Sequence, residues 1–150
     1  MRWLQDNRSL DLFEIPSAPM LTGGSLHYAA ELCHTLSDAI TDAMKRGVLR
    51  SRYDLAARMS ELTGQEISKA SIDAWTGESK SEWRFPFEYA AAFEAACDST
   101  CLQQLLARKR GCRILVGDEA LDAELGRVKR AQDELAQREK ALRQRMKVKR

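Results

Sequence analysis

The side chains best suited to chemistry in this chain are basic and hydroxyl groups within residues 50–84. Arginine and lysine bind phosphate oxygens through charged N–H donors, and serine hydroxyls both donate and accept hydrogen bonds. Four of the basic residues flank two predicted helices, on loops and helix starts from which their side chains reach outward. We therefore predict phosphate anchoring by Arg50, Arg52, Lys80 and Arg84, with plain solvation of a surface as the alternative for each.

Two short amphipathic helices, joined by a turn that contains a glycine, are predicted within residues 51–77. Ser68 is expected to cap the second helix, and Gly77 is suited to a left-handed residue that ends it. This is the build of a helix-turn-helix, which lays one helix in the major groove of DNA. The residues predicted to face inward are Leu55, Ala56, Met59 and Leu62 in the first helix and Ile67, Ala70, Ile72 and Trp75 in the second.

The segments LAARM (55–59) and SKASIDAW (68–75) resemble the repressor-type helix-turn-helix family, the Cro and phage-repressor class of five-helix DNA-binding domains. The resemblance implies that Arg52 touches phosphate, that Ile72 is buried and that Trp75 belongs to the core. It also implies which side chains of the recognition helix meet DNA. Those nearest the bases would be Lys69, Ala70, Asp73 and Ala74, with Ser68 and Ser71 available to phosphate or base.

The wider order of a leading helix, this motif and the segment RFPFEYAAAFEAACDSTCLQQLLARKRG (84–111) is similar to small regulator-like proteins of Mu-type transposable phages and prophages. The similarity covers about residues 25–114. The segment SELTGQEI (60–67) separates the two motif helices by more than the family's usual turn. Either a longer first helix or an inserted loop is therefore expected.

The chain as a whole predicts an all-α protein, a compact five-helix helix-turn-helix domain with a C-terminal coiled-coil helix. Residues 1–24 form an acidic and apolar N-terminal arm, which we expect to dock on its own domain or on a protein partner. Residues 25–116 form the helix-turn-helix domain. Residues 117–150 form the coiled-coil helix with a basic tail.

Apolar spacing predicts three more helices in the middle domain. A leading helix runs from Ser25, which can cap its start, to Lys45. Another covers Phe87–Ala96 after a proline that suits a first turn, and a third covers Thr100–Arg108. The short apolar segment at 114–116 is expected to be a small strand or the end of a helix. In the helix predicted over 87–96, the side chains expected to pack inward are Phe87, Ala90, Ala91, Phe93 and Ala95.

The C-terminal helix carries apolar residues at seven-residue intervals, with polar layers at Gln132 and Glu139. This pattern predicts a short coiled coil that joins two copies into a homodimer; a single helix folding back on the domain is the alternative. The basic tail can track phosphates or simply solubilise the helix end. The predicted dimer seam consists of Leu121, Leu125, Val128, Leu135, Leu142 and Met146.

Composition narrows the function classes. The chain has no apolar run of 18 or more residues and no signal-peptide pattern, so we expect a bacterial cytoplasmic or nucleoid protein with no membrane contact. Its four cysteines are expected to be reduced thiols, and neither a metal nor a cofactor is expected. A zinc site using Cys97 and Cys101, or His27, Cys33 and His34, is the alternative.

The sequence lacks a phosphate-binding glycine loop and a recognisable catalytic constellation, so we do not expect an enzyme. The prediction is a DNA-binding transcriptional regulator of phage or bacterial type that binds double-stranded DNA as a dimer through the helix at 68–76. The alternatives are a protein-interaction adaptor and a phage protein that assists DNA transactions by nonspecific DNA binding. A second basic cluster, Lys109, Arg110 and Arg113, complements a helix C-terminus and is not assigned to DNA.

Overall fold

The computed structural model describes residues 19–79 and 84–148. Within those residues the secondary structure is helical and includes no strand, which confirms the all-α prediction. The chain divides into two compact units, Met1–Arg113 and Ile114–Arg150. In the part that is described, no helix combines the length and the apolar character that a membrane crossing requires.

The described part of the first unit contains five α-helices and one 3-10 turn. They are α1 (Ala29–Lys45), α2 (Arg52–Thr63), α3 (Lys69–Thr76), the 3-10 turn Phe87–Tyr89, α4 (Ala90–Cys97) and α5 (Cys101–Arg110). α2 packs against α3 and α4, and α1 packs against α3, α4 and α5. α6 (Asp118–Val148) forms most of the second unit.

One apolar core holds the first unit together where the five helices meet. Burying a leucine, isoleucine or phenylalanine side chain contributes about 2 kcal/mol each, so this cluster is the main source of stability. It also determines which sides of α2 and α3 are turned away from solvent. Its buried members include Leu36, Ile40, Ala43, Leu49, Leu55, Met59, Ile67, Ile72, Phe93, Cys97 and Leu102.

α1 begins at Ala29, four residues after the predicted start at Ser25. Ser25 instead closes a tight turn with Thr22. The backbone N–H of Ser25 donates to the Thr22 carbonyl at 3.1 Å, and the Thr22 N–H donates to the Ser25 hydroxyl at 3.2 Å. The hydroxyl expected to cap the helix is therefore used in the turn before it. Of the predicted arm 1–24, residues 1–18 lie outside the described part of the chain.

The helix predicted over Phe87–Ala96 is α-helical only from Ala90, because the first three residues form the 3-10 turn. Phe87 was expected in the core but is 78% exposed. Ala91 and Ala95, also expected inside, are exposed as well. An alanine run offers little contrast between its sides, so the larger Phe93 ring decides which side of α4 is buried.

A buried carboxylate that sequence reasoning missed, Glu94, joins α4 to the start of α5. Only 5% of this residue is exposed. Its Oε1 accepts from the backbone N–H groups of Leu102 at 2.8 Å and Gln103 at 2.9 Å, and its Oε2 accepts from the Gln103 side chain at 2.5 Å. The N-cap residue Thr100 makes no capping bond with its side chain, so Glu94 satisfies the unpaired donors of α5 and complements its dipole.

Arg46, just after α1, secures the other end of α4. Its Nη2 donates to the carbonyls of Cys97 at 2.9 Å and Asp98 at 3.2 Å. Asp98 ends α4 in the left-handed region, with φ of 49°, which is uncommon for a residue other than glycine. The same guanidinium bonds Asp42 at 2.7 Å, and this bond raises the pKa of Arg46. The arginine therefore satisfies the carbonyls at the end of α4 and ties it to α1.

The second unit exposes the predicted dimer seam. α6 contains no buried residue, and Leu121, Leu125, Val128, Leu135, Leu142 and Met146 are all exposed in the single chain. The sequence allowed either a small strand or the end of a helix at residues 114–116. In the structure these residues belong to neither.

Replacing Glu94 with alanine should lower the free energy of unfolding by about 2 kcal/mol, because three N–H donors at the start of α5 lose their acceptor. Urea denaturation at pH 7 measures the change. The matched control is Glu88→Ala, an exposed carboxylate in the 3-10 turn, which should cost less than about 0.5 kcal/mol. Equal losses in the two variants would contradict the capping role.

Candidate nucleic-acid interface

Two side chains, those of Ser51 and Asp54, fix the start of α2. The Ser51 hydroxyl accepts from the backbone N–H of Asp54 at 3.3 Å, and the Asp54 carboxylate accepts from the backbone N–H of Arg50 at 3.0 Å. The bond from Arg50 lowers the pKa of Asp54, and Arg58 lowers it further. This cap sets the position of Arg52, the first residue of α2.

The connection from α2 to α3 is short and tied down at both ends. α2 extends to Thr63 and ends at Gly64, which has a left-handed φ of 66° that suits glycine. The Ser60 hydroxyl accepts from the backbone N–H of Ile67 at 2.9 Å and bonds the Ala56 carbonyl at 2.8 Å. The extra length of the SELTGQEI segment thus goes mainly into a longer first helix.

Leu62 does not face inward as predicted and is 58% exposed. It lies one turn beyond Met59, the last α2 residue that the core buries. The apolar spacing of α2 therefore continues past the point where neighbouring helices cover it.

α3 has the predicted start but not the predicted end. The Ser68 hydroxyl accepts from the backbone N–H of Ser71 at 3.1 Å, which confirms Ser68 as the N-cap. Gly77 follows the helix with φ of −90° and ψ of 116°, so the expectation of a left-handed residue there is wrong. The chain leaves α3 in an extended conformation instead.

An aromatic cluster holds the C-terminal half of α3. The ring centroids of Trp75 and Phe85 lie 5.2 Å apart in an edge-on contact, and Tyr89 lies 5.8 Å from Trp75. Phe85 also contacts the buried Phe93 ring at 5.8 Å. Trp75 is half-buried and packs against the core, as predicted. The cluster anchors α3 to the 3-10 turn and α4.

A shared carboxylate links α2 to α3. The Arg52 Nη1 donates to Asp73 Oδ1 and to the Thr76 hydroxyl, both at 2.7 Å, and the Lys69 ammonium donates to Asp73 Oδ2 at 2.5 Å. The bond from Lys69 lowers the pKa of Asp73, and the bond from Arg52 adds to this effect. Lys69 also lies 5.5 Å from the centroid of the exposed Tyr53 ring. One carboxylate thus orients two cations.

These side chains lie together on one surface, which we call the α3 face. It is formed by Arg52, Tyr53, Ser68, Lys69, Ala70, Ser71 and Asp73. Six of the seven belong to the predicted site, and two cations against one carboxylate leave the face with a net positive formal charge. The face therefore combines phosphate-binding groups with small side chains that allow close approach.

Two predicted base contacts are corrected by the geometry. Ala74 is only 6% exposed and packs inward, so it cannot touch a base edge in this structure. Both carboxylate oxygens of Asp73 already accept from cations, so this residue positions Arg52 and Lys69 and does not offer a ready acceptor to cytosine.

The predicted phosphate anchors outside the α3 face are only partly described. Arg50 and Arg84 are both exposed. Arg50 precedes the cap of α2, and Arg84 precedes Phe85 of the aromatic cluster. Lys80 lies outside the described residues. In the second basic cluster, Lys109 forms an ion pair with Glu31 of α1, so this lysine links two helices of the domain.

Cys33, Cys97 and Cys101 lack the character of reactive nucleophiles. Burial raises the pKa of Cys97 to about 12, and burial also raises the pKa of Cys101 and Cys33. A nucleophilic or metal-binding thiol needs the opposite shift, toward the thiolate. Across residues 19–79 and 84–148, no three histidine, cysteine, aspartate or glutamate side chains gather where they could hold a metal ion.

Sequence reasoning missed Tyr53, Ser60 and Thr76. The Lys69–Asp73 pair carried a local signal, since opposite charges four residues apart on a helix face each other. The Arg52–Asp73 pair spans 21 residues and carried none. Its formation depends on how α2 and α3 pack, which spacing along one helix does not reveal.

Comparisons of the chain with protein-family models, with curated proteins and with solved structures found no match.

Asp73→Asn should reduce stability at neutral pH, and the deficit should close as the pH falls. The folded-state pKa of Asp73 is lowered, so its charged form adds stability above the unfolded-state pKa of about 3.9, and this is lost as the pH falls through the folded value. Urea midpoints between pH 3 and 7 measure the gap. Asp38→Asn, at an exposed α1 position, is the control. A gap independent of pH would contradict the ion-pair account.

Proposed function

We propose that the first unit binds double-stranded DNA with α3 in the major groove, and that the protein is a transcriptional regulator of phage or bacterial type. The observation that supports this is the two-sided character of α3. Ile72 and Ala74 fix one side in the core, while Lys69, Ala70 and Asp73 lie toward the other. A helix held this firmly can enter a groove about 12 Å wide without first becoming ordered.

Arg52 is the principal phosphate anchor in this proposal. It uses Nη1 for its bonds to Asp73 and Thr76, which leaves the N–H groups of Nε and Nη2 for a phosphate oxygen. Because the guanidinium is planar and already oriented, little side-chain entropy is lost when it binds. Arg50 and Arg84, which flank the motif helices in the sequence and are exposed, are proposed as further anchors, together with Lys80, which lies outside the described residues.

Base readout falls mainly to Lys69, which can donate to guanine acceptors in the major groove. Ala70 can contact a thymine methyl group, and Ser68 and Ser71 can bond to phosphate or base. These short side chains make few specific bonds, so a single copy of the face should discriminate weakly. Two copies that bind two half-sites multiply the discrimination, and we propose that α6 joins them into a homodimer.

The exposed apolar column of α6 also supports a second candidate, a protein-interaction adaptor that joins partners through helices. The third candidate is a protein that assists DNA transactions by nonspecific binding. Salt separates the three. A regulator keeps a preference for one sequence as salt rises, a nonspecific binder loses affinity for all sequences together, and an adaptor does not bind duplex DNA.

Ala70→Glu should weaken DNA binding at least about tenfold, because it places a carboxylate on the α3 face where it meets the acidic duplex. A carboxylate in the first turn suits a helix N-terminus, so folding should be preserved. Ala91→Glu is the matched control, since Ala91 is exposed at the same position of α4.

The measurement is fluorescence anisotropy at 50 and 200 mM salt. The probes are a duplex that the wild-type protein selects from a random-sequence pool and a shuffled duplex of the same composition. Equal affinity of the Ala70 and Ala91 variants would contradict the assignment of the α3 face. Failure to enrich any duplex would favour the adaptor, and equal affinity for selected and shuffled duplexes would favour nonspecific binding.

The double change Arg52→Ala with Lys69→Ala should abolish measurable DNA affinity, because it removes the anchor and the main base donor together. The helical circular dichroism signal should stay near wild type. The melting temperature should fall modestly, since Asp73 loses both cations. The control, Lys45→Ala with Arg58→Ala, removes two exposed cations from α1 and α2. Affinity that survives in the first variant would move the binding surface elsewhere.

A further inference from the structure

α6 exposes an apolar column along one side. It is 31 residues long with no buried residue, and its apolar column is between 46% and 71% exposed. The column follows a heptad in which Leu121, Val128, Leu135 and Leu142 occupy one core position. Leu125, Gln132, Glu139 and Met146 occupy the other.

The charge on α6 is divided between its two halves. Residues 118–134 contain six acidic and three basic residues, whereas residues 135–150 contain one acidic and seven basic residues. Two copies that run in the same direction bring like halves together. Two copies that run in opposite directions bring the acidic half of one helix against the basic half of the other.

An antiparallel pair also has a register that uses the whole column. In antiparallel coiled coils the two kinds of core position face each other across the seam. One register places every residue of one core position opposite a residue of the other core position. It has four kinds of layer, and two-fold symmetry makes each kind occur twice: Leu125 with the partner's Leu142, Gln132 with the partner's Leu135, Glu139 with the partner's Val128, and Met146 with the partner's Leu121.

The same register pairs opposite charges along both edges of the seam. Asp122 faces the partner's Arg143 on one edge, and Glu124 faces the partner's Arg145 on the other. Two-fold symmetry repeats each pair, which makes four attractive contacts and no repulsive one at these positions. The existing bonds Glu139–Arg143 and Glu124–Arg127 are exposed and can be shared with the partner.

The parallel pairing fits less well. It stacks Glu139 on the partner's Glu139 in the seam, where two carboxylates repel. At the edges it places Arg138 beside the partner's Arg143, and its attractive edge pair is Glu124 with the partner's Lys129. The charge pattern and the core layers therefore favour the same orientation.

We infer that α6 associates with α6 of a second copy as an antiparallel coiled coil in which Asp122 pairs with the partner's Arg143. This inference rests on the homodimer of the proposed function and adds its orientation and register. It does not depend on DNA, so it can be measured separately from the DNA-binding proposal.

Arg143→Glu separates the two orientations. In the antiparallel pair it turns the contact with Asp122 into a repulsion at two symmetric places, and the dimer dissociation constant should rise about tenfold. In a parallel pair it gives Arg138 an opposite charge and should tighten the dimer. Adding Asp122→Arg reverses the charges of the antiparallel pair and should restore affinity to within about threefold of wild type.

Sedimentation equilibrium of the full chain without DNA measures these constants, and circular dichroism checks that each variant keeps its helix content. Arg130→Glu is the matched control. It places a new carboxylate four residues from Glu134, just as Arg143→Glu does beside Glu139, but on the outer side of α6. It should leave the dimer constant within about threefold of wild type.

Weakening by Arg143→Glu, rescue by the double change and no effect of Arg130→Glu would support the antiparallel pair. A tighter dimer with Arg143→Glu, or no rescue, would overturn the orientation while leaving the homodimer. A wild-type chain that stays monomeric at about 100 μM would overturn both. None of these outcomes decides whether the α3 face contacts DNA, because the comparison of the Ala70→Glu and Ala91→Glu variants measures that contact in either oligomeric state.

Discussion

α3 is too short to hold itself together, and the candidate site depends on how the rest of the domain holds it. It has eight residues, whereas isolated helices in water are marginal below about 12 to 15 residues. Its order must therefore come from tertiary contacts. Ile72 is buried in the core, and the backbone N–H of Ile67 donates to the Ser60 hydroxyl. Trp75 packs in the aromatic cluster. These contacts also decide which side of α3 remains exposed.

Charge on the α3 face is organised by Asp73. A carboxylate on a surface proposed to meet DNA lowers the attraction to phosphate, which is a cost. Its benefit is orientation, since Arg52 and Lys69 are held by one group and point from neighbouring helices to the same region. The exposed Tyr53 ring adds a cation–π contact to Lys69. Asp73 therefore lowers the net positive charge of the α3 face but fixes the positions of its two cations.

Local patterns in the sequence were enough to find the helices and the start of α3, although α1 and α4 begin later than predicted. The capping serine at position 68, the inward Ile72 and the half-buried Trp75 all follow from spacing and side-chain type. Errors arose where neighbouring elements decide the outcome. Ala74 is buried because other helices cover it, and Leu62 is exposed because they do not.

Contacts between elements far apart in the sequence could not be predicted from local patterns either. The end of α4 is capped by Arg46, which follows α1, and the start of α5 is capped by Glu94 of α4, so no local motif predicts either cap. The same holds for Arg52 with Asp73. In α6, by contrast, the heptad pattern and the division of charge are properties of a single helix and can be read from the sequence. The structure adds that the apolar column is exposed, and together they support the antiparallel orientation.

An amide chemical-shift titration of the isotopically labelled protein with its selected duplex shows which surface meets DNA, because it reads every backbone position at once. If α3 enters the major groove, the largest shifts will cluster at residues 50–53 and 68–71, with α4 little affected. Shifts confined to α6 or to the basic residues at 108–113, with the α3 face unchanged, would rule out this placement of α3.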